Sequence, residues 1–486
     1  MNRFPRHVVG LLLFAAACSD DAETPTDPTA ASFSEGNAVQ VSSPASAGPG
    51  SFRSAVRQAN NDPSIGTIRF APGLDPIRLD QPVTYSGAQA LVINGNGARI
   101  NGGGLPAGAS VLVADGGGDL TLRALTVSNA PGNGITVKVP DGASGLFTVR
   151  LNEVVIRENG LHGILINDQA EYFTDPASPS EAGSAANLLV EVFDSRFGRN
   201  GFGLIDSDGL RINEGGNGHL EARVHDTDFF NNGADGLELD ERGLGDARFI
   251  LRHTALIGNG SFSEEDFDDG IDVDESGGGD VAGDFEDVLA NKNFEQGVDL
   301  NENGPGDLRI FMRNVRAAEN NEEGIEFEED DDVAGGGNIR AHLAEVTTRA
   351  NGRAGGDAGL KLREKGPGSL QARLVETVSL DNRLLSGDDP IAGILLQEDE
   401  GGQLNAELVQ VAVRRNSGDG IQFEENEAGG LTGQIRRSVA SENGGAGASL
   451  TQATPGTGRV TLTRFAASRN AGGAVVSEGV EVNRTP

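Results

Sequence analysis

Between Asn232 and Glu329 one six-residue pattern is written four times: Gly236-Leu237-Glu238-Leu239-Asp240-Glu241, Gly270-Ile271-Asp272-Val273-Asp274-Glu275, Gly297-Val298-Asp299-Leu300-Asn301-Glu302 and Gly324-Ile325-Glu326-Phe327-Glu328-Glu329. Apolar and charged residues alternate with period two, so each copy reads as a strand with one buried face. Strands of one pattern at a recurring interval bury that face by stacking on one another. Stacking in register piles acid on acid. Neighbouring strands lie about 4.8 Å apart, and two unit charges at that distance repel by about 0.8 kcal/mol even at the dielectric of water. The outward face therefore calls for cations.

The frame extends well beyond the four copies. From Asn159 onward it repeats about every 27 residues, and in six coils an Asn stands four residues before a Gly, as Asn159 before Gly163 and Asn443 before Gly447. The Gly opens one strand, a glycine turn such as Gly304-Pro305-Gly306 follows, and two further strands return the chain to the next Asn. Stacked Asn side chains satisfy one another's amides, which if buried and unpaired cost about 1–3 kcal/mol each. A propeller blade needs about four strands in 40 or more residues, and leucine-rich repeats need their Leu spacing. The fold expected is all-β: a right-handed parallel β-helix of roughly 14 coils. Seventy-one glycines and no Trp fit thin aliphatic coils. Ser51 caps a short helix that places Phe52, Ala55, Val56 and Ala59 on one side. That segment resembles the G-S-L-R-x-A-I-x-x-A-N motif of surface and secreted parallel β-helix proteins, in which the helix covers the open end of the coil.

The formal charge of −35 excludes nucleic acid as a partner, because phosphate binding needs clustered Lys and Arg. Successive coils align Arg211, Glu238, Asp272, Asp299, Glu326 and Lys361 in one outward column and Asn213, Asp240, Asp274, Asn301, Glu328 and Arg363 in its neighbour. The block of acids Glu238, Asp240, Asp274, Asp299, Glu326 and Glu328, joined by Tyr172 from a loop, is the expected ligand-binding face. Stacked carboxylates supply the six to eight oxygens a calcium ion takes. Three further pairs share one spacing across the glycine turn, Glu241 with Asp246, Glu275 with Asp280 and Glu302 with Asp307. Folding the turn back is expected to bring each pair around one ion. Four longer turns, such as Asn200 to Gly209 and Asn259 to Gly270, fall just before the acidic strand and form a rim along it. The histidines sit singly on different coils, as surface residues do.

Asp268-Asp269-Gly270-Ile271-Asp272, with Asp235 one coil below, resembles the calcium site of one family of β-helix pectate lyases. The resemblance implies that Asp235, Asp268, Asp269 and Asp272 hold the ion, which would acidify a uronate C5 proton. That family's base is a Lys in a G-x-K-L motif of the next coil. Here Asp299 stands at that position, and the matching Lys361 lies three coils from Asp272, about 14 Å at the strand spacing. The polygalacturonase order of N-x-D, D-D, H-G and R-x-K is not met.

Residues 1–17 have the parts of a signal peptide, with Arg3 and Arg6 before a short apolar run. Ala15-Ala16-Ala17-Cys18 resembles the lipobox of bacterial lipoproteins, which implies cleavage before Cys18, the chain's one cysteine, and lipid attachment on it. Ser19 after the cysteine is similar to the signal for outer-membrane sorting in Gram-negative cells. Residues 18–46, rich in Asp, Thr, Pro, Ala and Ser without periodicity, read as a disordered acidic tether, and 47–486 as the β-helix. The reading is a lipid-anchored, monomeric β-helix lipoprotein of the outer membrane or cell surface. Its acidic face binds Ca2+ and, through it, an anionic polysaccharide or a neighbouring surface. The alternatives are a calcium-dependent polysaccharide lyase acting on uronic-acid polymers and a non-catalytic adhesive or spacer rod.

Overall fold

The computed structural model describes residues 37–169, 182–263, 267–329, 336–427, 429–453 and 456–486. The signal peptide, Cys18, Tyr172 and the first part of the tether lie outside these residues. Every coil contributes one strand to a 14-stranded parallel sheet that begins at Val83–Tyr85 and ends at Val475–Glu478. The remaining strands form a second parallel sheet of 28. The fold is thus a right-handed parallel β-helix of fourteen coils. One coil runs Ile271–Glu275, Val281–Glu286 and Leu289–Asn291, and the next runs Val298–Glu302, Leu308–Arg313 and Arg316–Ala318.

The helix spans Phe52–Asn61, with the Ser51 side chain accepting the Ser54 N–H and Phe52, Ala55, Val56 and Ala59 buried. The folded body starts earlier than residue 47. Asn37–Val41 is a strand paired in parallel with Ile65–Phe70, because Val39 and Val41 continue the alternation of the first coil. The expected tether is therefore shortened at its C-terminal end.

An asparagine ladder fixes the turn before the 14-stranded sheet. From Asn159 to Asn470 each Nδ2 donates to the Oδ1 of the Asn in the next coil, at 2.9 to 3.3 Å. The same Oδ1 atoms also accept the preceding Asn backbone N–H. The residue before each ladder Asn sits in the left-handed region, as Asn231, Lys292, Glu319 and Asp381 do. The corner between second and third strands does the same at Asp226, His253, Asp287 and Asn314. These turns carry few glycines; backbone bonds to adjacent coils hold the conformation there.

Glycine is required at a different place. In the turn after each acidic strand a Cβ on Gly279 would meet the Gly245 carbonyl at 1.5 Å, and one on Gly306 would meet the Gly279 carbonyl at the same distance. Gly306→Ala is expected to push the coils apart at a cost of about 1–3 kcal/mol, read as a lower urea midpoint.

Candidate acidic cation site

The register predicted for the acidic sheet holds residue by residue. Arg211 pairs with Glu238, Glu238 with Asp272, Asp272 with Asp299, Asp299 with Glu326 and Glu326 with Lys361. A second acidic column, unforeseen beyond Asp235 and Asp269, runs alongside in the preceding turn. There the Asp208 carboxylate accepts the Asp235 N–H, Asp235 that of Asp269, and Asp269 that of Gln296. One oxygen of each acid is tied to the next coil. The other faces the strand column.

The two columns meet in three clusters whose carboxylate oxygens lie within 4.8 Å of one another: Asp206, Asp208 and Glu238; Asp235, Glu238 and Asp272; Asp269, Asp272 and Asp299. The first contains its own cation. Arg211, nearly fully buried, reaches Glu238 at 2.5 Å, Asp206 at 2.6 Å and Asp208 and Asp240 at 3.6 Å. At the far end the Lys361 ammonium lies against Glu326, at 2.9 Å from Glu328 and at 3.5 Å from Asp357. Between them, among the described residues, no Lys or Arg forms an ion pair with Asp235, Asp269, Asp272 or Asp299.

The electrostatics follow from that arrangement. Burial, then repulsion from Asp268, Asp208 and Asp269, pushes Asp235 well above the ordinary carboxylate range. Asp272 is raised by burial and by Asp274, Asp235 and Asp299, and Asp299 by burial and Glu326. Asp269 is raised by burial and then by Asp299 and Asp272. Without a cation these groups resist ionisation; a divalent ion reverses the sign of the field they feel. The far end behaves oppositely: although burial favours its neutral form, Lys365 and Lys361 hold Glu328 down at about 2.

The sequence-derived residues divide accordingly. Asp235, Asp269 and Asp272 come together; Asp268 stands beside them as the strongest charge acting on Asp235. Asp240, Glu326 and Glu328 are not a free ligand face, because Arg242, Lys361 and Lys365 already clasp them; Glu238 is shared between Arg211 and the cluster with Asp235 and Asp272. Asp274 lies 3.9 Å from Arg242 and is also hydrogen-bonded by Asn301, and Asp299 accepts from Asn301 at 3.0 Å.

The turn pairs do not converge. Glu241, Glu275 and Glu302 share the parity of Leu237, Val273 and Leu300 and point into the rod, fully buried. They belong to a column running from Glu214 to Glu425, one glutamate in each of eight successive coils, followed by Gln452. Asp246, Asp280 and Asp307 stand outside and pair with Arg248, Arg309 and Arg340. His162 is not a surface residue either. It is buried with Nδ1 at 3.1 Å from Asp208, which braces the second acidic column.

The long turns form the expected rim. Phe202 and Phe262 meet edge to face at 6.3 Å, 47 % and 38 % exposed. Phe267, two residues before Asp269, and Phe294, two residues before Gln296, pair at 6.0 Å. A stacking rim of Phe was not legible before the turns were placed.

No family model matches the chain, and no curated protein matches it in sequence. Similar solved structures include the Azotobacter vinelandii mannuronan C-5 epimerase AlgE4 A-module, at 12% identity over 89% of this chain and 96% of that one, with a TM-score of 0.43. The periplasmic alginate epimerase AlgG is 10% identical over 76% of each chain, with a TM-score of 0.39. Pectate lyase Pel9A is 13% identical over 73% of this chain and 80% of that one, with a TM-score of 0.36. The chain's own strand pairing defines it as a right-handed parallel β-helix with an acidic column closed at both ends by buried basic side chains.

Proposed function

We propose that the two middle clusters bind divalent cations, calcium by their all-oxygen donor set, and that the protein uses them to hold an anionic glycan or a neighbouring surface. One observation carries the reading: Arg211 and Lys361 neutralise the ends of the acidic column, and among the described residues no Lys or Arg forms an ion pair with Asp235, Asp269, Asp272 or Asp299 between them. Asp235, Glu238, Asp269, Asp272 and Asp299 are the ligands, with Asp272 shared. Three carboxylates fall short of six to eight oxygens, so water or a ligand carboxylate completes each shell. That open part is where a uronate would join. The lipobox-like run ending at Cys18 supports an outer-membrane or cell-surface setting with the rod anchored by lipid, acting as a monomer.

A lyase reading is less well supported. General base catalysis needs a group within about 3 Å of the proton it removes. Lys361 lies three coils from Asp272, and its acid neighbours hold it in the charged form against the effect of burial.

Melting curves with and without calcium test the binding reading. Calcium at 100 times its dissociation constant stabilises by about 2.7 kcal/mol, so the wild type is expected to melt several degrees higher. Asp272→Asn, which removes the shared ligand, is expected to lose most of that rise and to melt higher than wild type in EDTA. Equal melting of the wild type in millimolar calcium and in EDTA would remove the proposal.

A further inference from the structure

The glutamate column from Glu214 to Glu425 has no place in cation binding, yet it puts one fully buried carboxyl in each of eight successive coils. Its geometry is repetitive. In successive coils Oε1 accepts a turn N–H, from Gly279 to Glu275, Gly304 to Glu302, Gly337 to Glu329, Gly368 to Glu364 and Gly402 to Glu398, at 2.8 to 3.2 Å. The close approach of the glycine column makes these donors available. The Oε2 of Glu275, Glu302, Glu364, Glu398 and Glu425 receives no N–H. The Glu364 carboxyl lies against those of Glu329 and Glu398 in the coils on either side.

Eight ionised carboxylates cannot stand in a dry core at the strand spacing, so the column must be neutralised by something that fits between rungs. A hard cation needs six or more oxygens at 2.3–2.6 Å. At Glu275, Glu302, Glu364 and Glu398 the rung offers one oxygen, its partner being taken by a glycine N–H. A proton needs only two oxygens.

We propose that this column is a ladder of neutral carboxylic acids, each Oε2–H donating to a carboxyl of the adjacent coil, and that it clasps the rod in a pH-dependent way. Each proton comes from solvent at folding and returns there on ionisation; no other bond changes. Eight bound protons reduce the formal charge of −35 to −27. Gln452 shows that a neutral amide suits the same register: it is buried and its Oε1 accepts the Leu431 N–H.

Burial first, with neighbouring carboxyls adding to it, holds Glu364 at about 10 and Glu302 and Glu241 at about 11. The end members Glu214 and Glu425 stand at about 8. Other charged groups facing the column are Asp168 at Glu214 and Asp246 beside Glu275; Glu329 and Glu398 face Glu364. Folded pKa values above the unfolded 4.5 mean that the folded chain binds more protons. This stabilisation is complete below about pH 4.5 and is lost as pH rises through about 8 at Glu214 and Glu425 and through about 10 to 11 at Glu364, Glu302 and Glu241.

Carbon-13 NMR of the full chain, labelled at the glutamate carboxyl carbon and kept in EDTA, tests the ladder. A group of resonances is expected to stay at the protonated position at pH 7, to move only above pH 8, and to lose one member in Glu364→Gln. That variant is expected to melt with the wild type at pH 5 and above it at pH 9. Glutamate carbons that all ionise near pH 4.5 overturn the proposal, whether or not the variant folds; so does a Glu364→Gln protein that melts lower than wild type at pH 9.

Discussion

Arg211→Ala is expected to be among the most destabilising single changes in this protein, at about 3–5 kcal/mol, the usual cost of leaving a buried charge unpaired. The guanidinium is 5 % exposed and touches four carboxylates on two coils. Asp208 and Asp240 are fully buried and Glu238 nearly so. Removing Arg211 leaves those acids facing one another, and they must ionise at a penalty or take up protons. Arg211→Ala is therefore expected to recover stability as pH falls from 7 to 5, whereas a variant that only lost packing would not. It also makes the first cluster resemble the two beyond it, so calcium is expected to raise its melting temperature more than that of the wild type. Urea unfolding at pH 7 and pH 5 measures the first effect. A loss below about 1 kcal/mol at pH 7 would mean that Arg211 only fills space.

The second large effect is expected at Asn293, midway along the asparagine ladder. Its Oδ1 accepts both the backbone N–H and the Nδ2 of Asn259, and its own Nδ2 donates to Asn320 and to the Leu256 carbonyl. Asn293→Ala strands two buried donors on Asn259 together with the acceptors above. At about 1–3 kcal/mol for each stranded donor, the loss should be about 3–5 kcal/mol. Asn470 closes the ladder and is only half-buried, so Asn470→Ala is expected to cost about 1 kcal/mol. Comparing the two urea midpoints separates a ladder whose members depend on one another from a set of independent turn residues, for which the two losses would be equal.

The difference between these sites shows how far residue order reaches. The alternation in Gly270-Ile271-Asp272-Val273-Asp274-Glu275 is local, so strand, face and register could be assigned before any coil was placed. The stacking of Asp272 on Glu238 and under Asp299 then followed from counting. The same alternation places Glu275 on the inner face with Ile271 and Val273. A lone glutamate is an implausible core residue, and its spacing from Asp280 drew it outward toward an ion instead. What makes an inward glutamate tenable is the carboxyl above, the carboxyl below and a glycine N–H in the turn. None of these is local to the hexapeptide.

The sequence by itself determined the coil, its period, the asparagine ladder and the two acidic columns of the strand, because each follows from side-chain parity and a repeat length. Only the tertiary structure decided which acids are free. Arg211 and Lys361 neutralise the column's ends from neighbouring coils, the turn column of Asp208, Asp235 and Asp269 closes on it sideways, and the inner glutamates find partners in one another and in the turn N–H groups. Charge is a property of one residue. Its compensation depends on what the fold places within about 4 Å.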